Sequence, residues 1–444
     1  MDDGTKGGST MMRILAIGAL LWAGAVQADI SVKTVTSPGG LSAWVLEEPA
    51  IPFTALNIMF SGGAALDPPD KRGAAFMMTG LLEEGAGDLD SQAFAAAKEA
   101  LSASFSFDVS DDTLSISVRV LTENRAEALA LLKTALMEPR FDPDAVERVR
   151  QQVLSILASN AQDPTDIAQR VWAEQAFGDH AYGTDYQGTE SSVAALTRAD
   201  FLAAHQNLLV RDAISVSAVG DITAEELGPI LDDLLGELPA GSALETAPLE
   251  LDIPAGLTVV DIPTPQSVAI FGHSGIDRAH PDFFAAFILN TILGGHGIES
   301  RLTAEVREKR GLTYGISTIL ISKDQADVML GQVASANDRI GAAIEVIRDE
   351  WSKLARDGIT AEELHAAQTY LTGAYPLRFD GNSQIARILV GMQRQGLGLD
   401  YINTRNARIN AVTLPEINRV AAQLLKPEAL NFVVVGQPTG LTEE

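Results

Sequence analysis

The chain has 444 residues, more than one hydrophobic core usually serves, so two or more domains are expected. Its 46% hydrophobic and 20% charged content is that of a folded protein, and a net charge of −27 argues against nucleic acid, whose phosphates need clustered Lys and Arg. With no cysteine, the chain has no disulfide, no thiolate nucleophile and no Cys-ligated zinc.

The N-terminus carries the first signal. In MRILAIGALLWAGAVQADI a basic Arg13 precedes an apolar run over 14–26, which closes on the small residues of Val26-Gln27-Ala28. That pattern predicts a secretory signal peptide cut after Ala28, too short for a spanning helix, and therefore a periplasmic protein. The residues ahead of it, MDDGTKGGSTM, read as a mis-assigned start and are left out of the fold reasoning.

The mature chain repeats itself. TALNIMFSGGAALDPPD is an extended run that reaches Ser61-Gly62, and an apolar helix follows in KRGAAFMMTGLL. SVAIFGHSGIDRAHPD does the same at Ser274-Gly275, ahead of FFAAFILNTIL. DDTLSISVRVL and QADVMLGQVAS alternate as strands do, while RAEALALLKTALMEP and IGAAIEVIRDEWSKLARDG have helical spacing. Thr360, three residues before Glu363, predicts a capped helix start. Both halves close on a strand ending in Val-Gly, at 219–220 and 435–436. So long a period predicts duplicated domains and not a solenoid. Residues 29–237 form one, 257–444 the other, and the Pro-, Ala- and Gly-rich stretch 238–256 reads as a linker. Strands and helices do not alternate strictly, which favours α+β over a doubly wound sheet.

The usual chemistry is hard to find. The six histidines are His180, His205, His273, His280, His296 and His365, and none is paired at a spacing of four. His273 and His280 are the nearest pair, and they read better as solvated loop histidines than as metal ligands. No serine stands in Gly-x-Ser-x-Gly, and Gly-Gly-His-Gly at 294–297 lacks the Lys of a phosphate loop and reads as a tight turn. One stretch stands out, GGHGIESRLTAEVREKRGLTYGIS. Ser300 is placed to cap a helix running to about Lys309, and Gly311 to stop it. Arg307 falls in the last turn of that helix and Tyr314 early in the following strand. Together they offer several donors to a carbonyl or carboxylate. The alternative is that Arg307 complements the helix C-terminus and Tyr314 packs.

The order of these features resembles the pitrilysin, insulinase and mitochondrial processing peptidase family over nearly the whole mature chain. SRLTAEVREKRGLTYGIS is similar to its second-half signature, and FGDHAYGTDYQGTESSVAALTRADF to a first-half segment; Val-Gly-Asp at 219–221 and GITAEEL also fit. The resemblance implies two homologous α+β domains, each a mostly antiparallel sheet layered with helices. It also implies substrate-binding roles for Arg307 and Tyr314. Active members carry His-x-x-Glu-His on the first-half helix, with a further Glu as third zinc ligand. Here those positions fall on Phe76, Thr79 and Gly80, no acidic residue lies between Arg148 and Gln162, and no histidine precedes His180. The resemblance therefore implies a chain that binds no zinc of its own. It would be the substrate-binding subunit of a heterodimeric peptidase whose homologous partner holds zinc and whose substrates are peptides. The alternative is a non-catalytic peptide-binding or scaffold protein on a peptidase fold.

Overall fold

The computed structural model describes residues 31–241, 244–295, 297 and 299–441. The proposed signal peptide and His296 lie outside the described residues. No helix among the described residues is long and apolar enough to cross a membrane.

The first half opens with β1 (Lys33–Thr36), β2 (Ser42–Glu47) and β3 (Phe53–Ser61), then the apolar helix α1 (Ala74–Leu81). A two-residue pair, β4 (Gly85–Ala86) and β5 (Leu89–Asp90), leads to α2 (Ser91–Ala100) and the hairpin of β6 (Ser104–Val109) and β7 (Thr113–Leu121). Five helices follow, α3 (Arg125–Met137), α4 (Pro143–Asn160), α5 (Pro164–Phe177), α6 (Glu190–Ala195) and α7 (Arg198–Leu208). The half closes with β8 (Ile214–Gly220) and α8 (Ala224–Leu235). The second half has β9 (Gly256–Asp261), β10 (Gln266–Ser274), α9 (Phe283–Gly294), β11 (Ile316–Ser322), β12 (Asp327–Ala336) and α10 (Ile340–Asp357). It continues with α11 (Ala361–Ala374), α12 (Asn382–Arg394), α13 (Tyr401–Ala411), α14 (Leu414–Leu424) and β13 (Asn431–Gly436).

The duplication is visible in the pairing. The first sheet runs β1-β2-β8-β3-β7-β6 and the second, reversed, β9-β13-β10-β12-β11. Apart from β1, corresponding neighbours pair alike: β2 with β8 and β9 with β13 are parallel, and the rest antiparallel. The repeated Val-Gly ends have a backbone reason. Gly220 and Gly436 sit at φ 127° and 146°, where a side chain is strained. A Cβ would also strike the Phe53 carbonyl at the first and Ser267 at the second.

Each sheet has one face under its own half's helices. The first core joins inward strand residues such as Ile58 and Ile116 to Met77, Leu132 and Phe201. The second joins Phe271 and Phe432 to Ile288, Ile344 and Trp351. The other face of each sheet is covered by a helix from the opposite half. On the first, Ile385, Ala386 and Leu389 of α12 pack on Ala55 and Val219, and Ser217 donates to the Ala386 carbonyl (2.6 Å). On the second, Ile167, Ala168 and Trp172 of α5 pack on Ile270, Val433 and Val435. β3 and β8 correspond to β10 and β13, so the exchange is reciprocal. The stretch 238–256 is no loose tether either, since Leu249, Leu251 and Ile253 pack against that same cluster.

Candidate functional site

The first-half helix is set by a group upstream of it. The Asp67 carboxylate accepts from the backbone N–H of Gly73 (3.1 Å) and of Ala75 (3.1 Å), donors that a helix start leaves unpaired. Arg72, also buried, donates to the Ala64 carbonyl at 2.5 Å. Burial pushes the Asp67 carboxyl up to about 7, against the pull of those backbone donors and of Arg72. The folded state then holds this proton more tightly than the unfolded chain does. Stability from Asp67 is present at low pH and is lost as pH rises from about 3.8 through about 7. Asp67→Asn should flatten that part of a pH–stability profile measured by thermal unfolding. An unchanged slope would place the titration elsewhere.

On α1 the three zinc-motif positions hold no ligand. The half-buried Phe76 meets the Tyr186 ring edge-on, with centroids 5.7 Å apart. Thr79 is buried, and its hydroxyl turns back to the Phe76 carbonyl (2.8 Å). Gly80 is exposed, and a Cβ there would make only ordinary contact with Val149 of α4. The stretch in which a third ligand would fall lies mostly on α4, where Val153 is buried, Ile156 exposed, and Asn160 donates to Gln187 (3.1 Å). Zinc does not fit such a donor set, and no group of three or more His, Cys, Asp or Glu among the described residues is arranged to hold a metal. His273 is a correction to the sequence reading. It is buried in β10, with Nδ1 at 2.7 Å from the Ser274 carbonyl and Nε2 accepting from Trp351 (3.0 Å). The alternation of the strand carries it inward, where the sequence suggested a solvated loop.

In the second half, Ser300 caps as expected, its Oγ accepting from the Thr303 N–H (3.3 Å). The turns that follow are not α-helical. Thr303–Glu308 is a π-helix, with Lys309 N–H reaching back five residues to the Ala304 carbonyl (2.9 Å). Leu302 and Val306 anchor it in the core. Arg301 beside them makes a two-pronged ion pair with Glu363 (2.6 and 2.9 Å), the residue that also closes the α11 capping box with Thr360. Gly311, at φ 61°, ends the segment as predicted. The widened turn leaves the Arg307 side chain exposed, with no hydrogen bond or ion pair to any described residue, while its backbone carbonyl accepts from the Gly311 N–H (2.9 Å).

Tyr314 is not in a strand. β11 starts at Ile316, because the Thr313 hydroxyl donates to the Ala334 carbonyl (2.6 Å), accepts from the Gly315 N–H (3.0 Å) and folds 313–315 into a turn. Tyr314 is thereby 90% exposed, which removes the alternative that it packs. Arg307 lines a cavity of ≈460 Å³ with Thr303, Gly315, Ser317 and Gln332. Tyr314 stands beside it in sequence without lining it, and the structure shows no direct contact between the two side chains.

Ser317 and Gln332 also line a second cavity, of ≈430 Å³, walled by α5 and by β11 and β12. Its lining includes Tyr186, the residue on which Phe76 rests. One cleft therefore runs from Arg307 along edge strand β11 to the neighbourhood of the vacated metal positions. The halves are tied across it by an ion pair of Lys323 with Asp111, and by the backbone N–H groups of Asp324 and Gln325, which donate to the Asp112 carboxylate (3.2 Å) and the Tyr182 hydroxyl (3.3 Å). Sequence reasoning missed this wall, since Tyr182, Tyr186 and β11 meet only through the exchange of α5.

The duplicated sheets, the exchanged helices and an α1 without ligand side chains define a peptidase-type fold with no metal-holding cluster among the described residues. The chain belongs to peptidase family M16. The profile of insulinase (peptidase family M16) matches residues 44–190, and that of the peptidase M16 inactive domain matches 195–371. The chain is 25% identical over 390 residues to the non-peptidase homologue YmxG of Helicobacter pylori, which covers 88% of this chain and 90% of that one. It is 26% identical over 403 residues to an uncharacterised zinc protease of Mycobacterium bovis, covering 90% and 92%. Of solved structures, a peptidase M16 inactive domain from Pseudomonas fluorescens superposes with a TM-score of 0.84 at 25% identity, over 93% of this chain and 99% of that one. A protease from Helicobacter pylori shares the fold with a TM-score of 0.82 at 17% identity, over 91% and 99%. Phe76, Thr79 and Gly80, which stand where the family resemblance puts the zinc motif, are not zinc ligands, and no histidine precedes His180 in the chain.

Proposed function

We propose that the chain is the substrate-binding, non-zinc subunit of a heterodimeric zinc metallopeptidase, exported to the periplasm by its N-terminal segment. The observation that carries this reading is an asymmetry. The metal half of the machinery has been replaced by packing residues, while Arg307 and Tyr314 stand exposed and unpaired at the mouth of an open cleft. An exposed Tyr and an uncommitted Arg have no structural task here that would explain them.

In this reading a peptide lies extended beside β11, the free edge of the second sheet, and adds to it as a strand. Arg307 donates to a peptide carbonyl or carboxylate, and Tyr314 offers its O–H where negative charge develops. The zinc of the homologous partner, when bound there, supplies the activated water. The test is peptidase activity of the purified chain alone and after mixing with a zinc-bearing M16 partner. Activity that needs both chains supports the assignment, and an inert mixture that still binds peptide supports the scaffold alternative.

A further inference from the structure

We propose that the pocket at the N-terminal end of α9 binds an anion of the phosphate monoester class carried on an apolar or aromatic group. The pocket measures ≈300 Å³ and lies between α9, the end of α11, α12 and α13. In a chain of net charge −27, four arginines line it: Arg278, Arg378, Arg387 and Arg405. None of them forms an ion pair with a described carboxylate.

Aromatic rings hold the two inner arginines in the place of carboxylates. The Arg405 guanidinium lies 4.3 Å from the centre of the Tyr375 ring, and that of Arg278 lies 4.4 Å from the Phe283 ring. A guanidinium stacked by its face keeps its N–H edge available to an acceptor in its own plane. The acceptors present are all neutral. Arg278 reaches Gln395 Oε1 (3.0 Å) and the Tyr401 hydroxyl (2.9 Å). Arg405 reaches the Leu371 carbonyl and Asn406 Oδ1, both at 3.2 Å. Arg405 is only 5% exposed, and a cation so buried without a counter-charge is costly.

A second orphan stands in the same wall. Tyr375 is 7% exposed, and its hydroxyl has no hydrogen-bond partner. Buried hydroxyls are ordinarily satisfied, so this one marks an acceptor still to be supplied. An oxyanion with several acceptor oxygens answers both vacancies, the Arg405 charge and the Tyr375 donor. Phe283, Phe284 and Phe287 then face the group that carries it. Arg378 and Arg387, both exposed, add charge from the solvent side. The pocket is at the opposite end of α9 from the Gly294–Gly295 turn beside Arg307, and the inference does not rest on the peptide-binding reading.

The test uses the full chain with three probes: phenyl phosphate, inorganic phosphate, and phosphatidylcholine vesicles with or without phosphatidic acid. Calorimetry should show saturable binding of phenyl phosphate, tighter than inorganic phosphate. Arg378→Gln combined with Arg387→Gln changes only exposed residues and should weaken that binding by about ten-fold or more. Tyr375→Phe keeps the ring that stacks on Arg405 and should weaken it by a smaller factor without lowering the unfolding temperature. Phenyl phosphate binding together with flotation on phosphatidic acid vesicles assigns the anion to a lipid headgroup, and binding without flotation assigns it to a soluble ester. No binding of phenyl phosphate, flotation without such binding, or binding unchanged in the double variant overturns the proposal.

Discussion

Reconstituted with the zinc-bearing partner we propose, Arg307→Ala is expected to lower peptide turnover on the order of 100-fold while leaving the complex assembled, and Tyr314→Phe to act in the same direction. The expectation rests on what these side chains lack. Arg307 has no partner within the described chain, and Tyr314 is almost fully exposed, so neither change opens a cavity or strands a buried group. A loss confined to KM would mean that Arg307 only holds substrate. A loss shared equally by kcat and kcat/KM would mean that it acts in the transition state. Unchanged kinetics in both variants would remove the pair from the mechanism.

Leu389→Ala should cost about 2–5 kcal/mol of stability, the range for truncating a fully buried leucine. Leu389 is on α12, in the second half, yet the atoms it covers are Ala55 and Val219 in the first sheet. The helix is also bonded there through Ser217 and through Gln393, which donates to the Val216 carbonyl (2.8 Å). Because α5 returns the favour on the second sheet, both halves should lose stability together. Denaturant unfolding with a probe in each half would check this. Coincident transitions that shift together are expected, and a shift in one half alone would contradict the exchange.

Much of this was legible in the sequence because it was written in local periodicity. Alternation placed β7 and β12, and the paired Val-Gly ends announced a duplication that the two sheets repeat in every strand but β1. The emptiness of α1 could be read by residue identity, since Phe, Thr and Gly cannot stand in for His, Glu and His. What stayed hidden depends on partners distant in the chain. No pattern in α5 or α12 says that each covers the other half's sheet. Nothing in the sequence marks Asp67 as the carboxylate that accepts from the Gly73 and Ala75 N–H groups at the start of α1. The π-helical turn at Thr303–Glu308 was not legible because α-helical and π-helical spacing look alike over six residues. Tyr314 reads as an early strand residue, but the Thr313 hydroxyl holds 313–315 in a turn.

The central claim, that this chain supplies the substrate side of a zinc peptidase and not its metal, is tested most directly by measuring zinc content and peptide turnover on the purified chain, alone and with its partner. The account predicts neither zinc nor turnover from the chain alone, and both from the pair, with the zinc on the partner. Stoichiometric zinc and turnover from this chain by itself would contradict it.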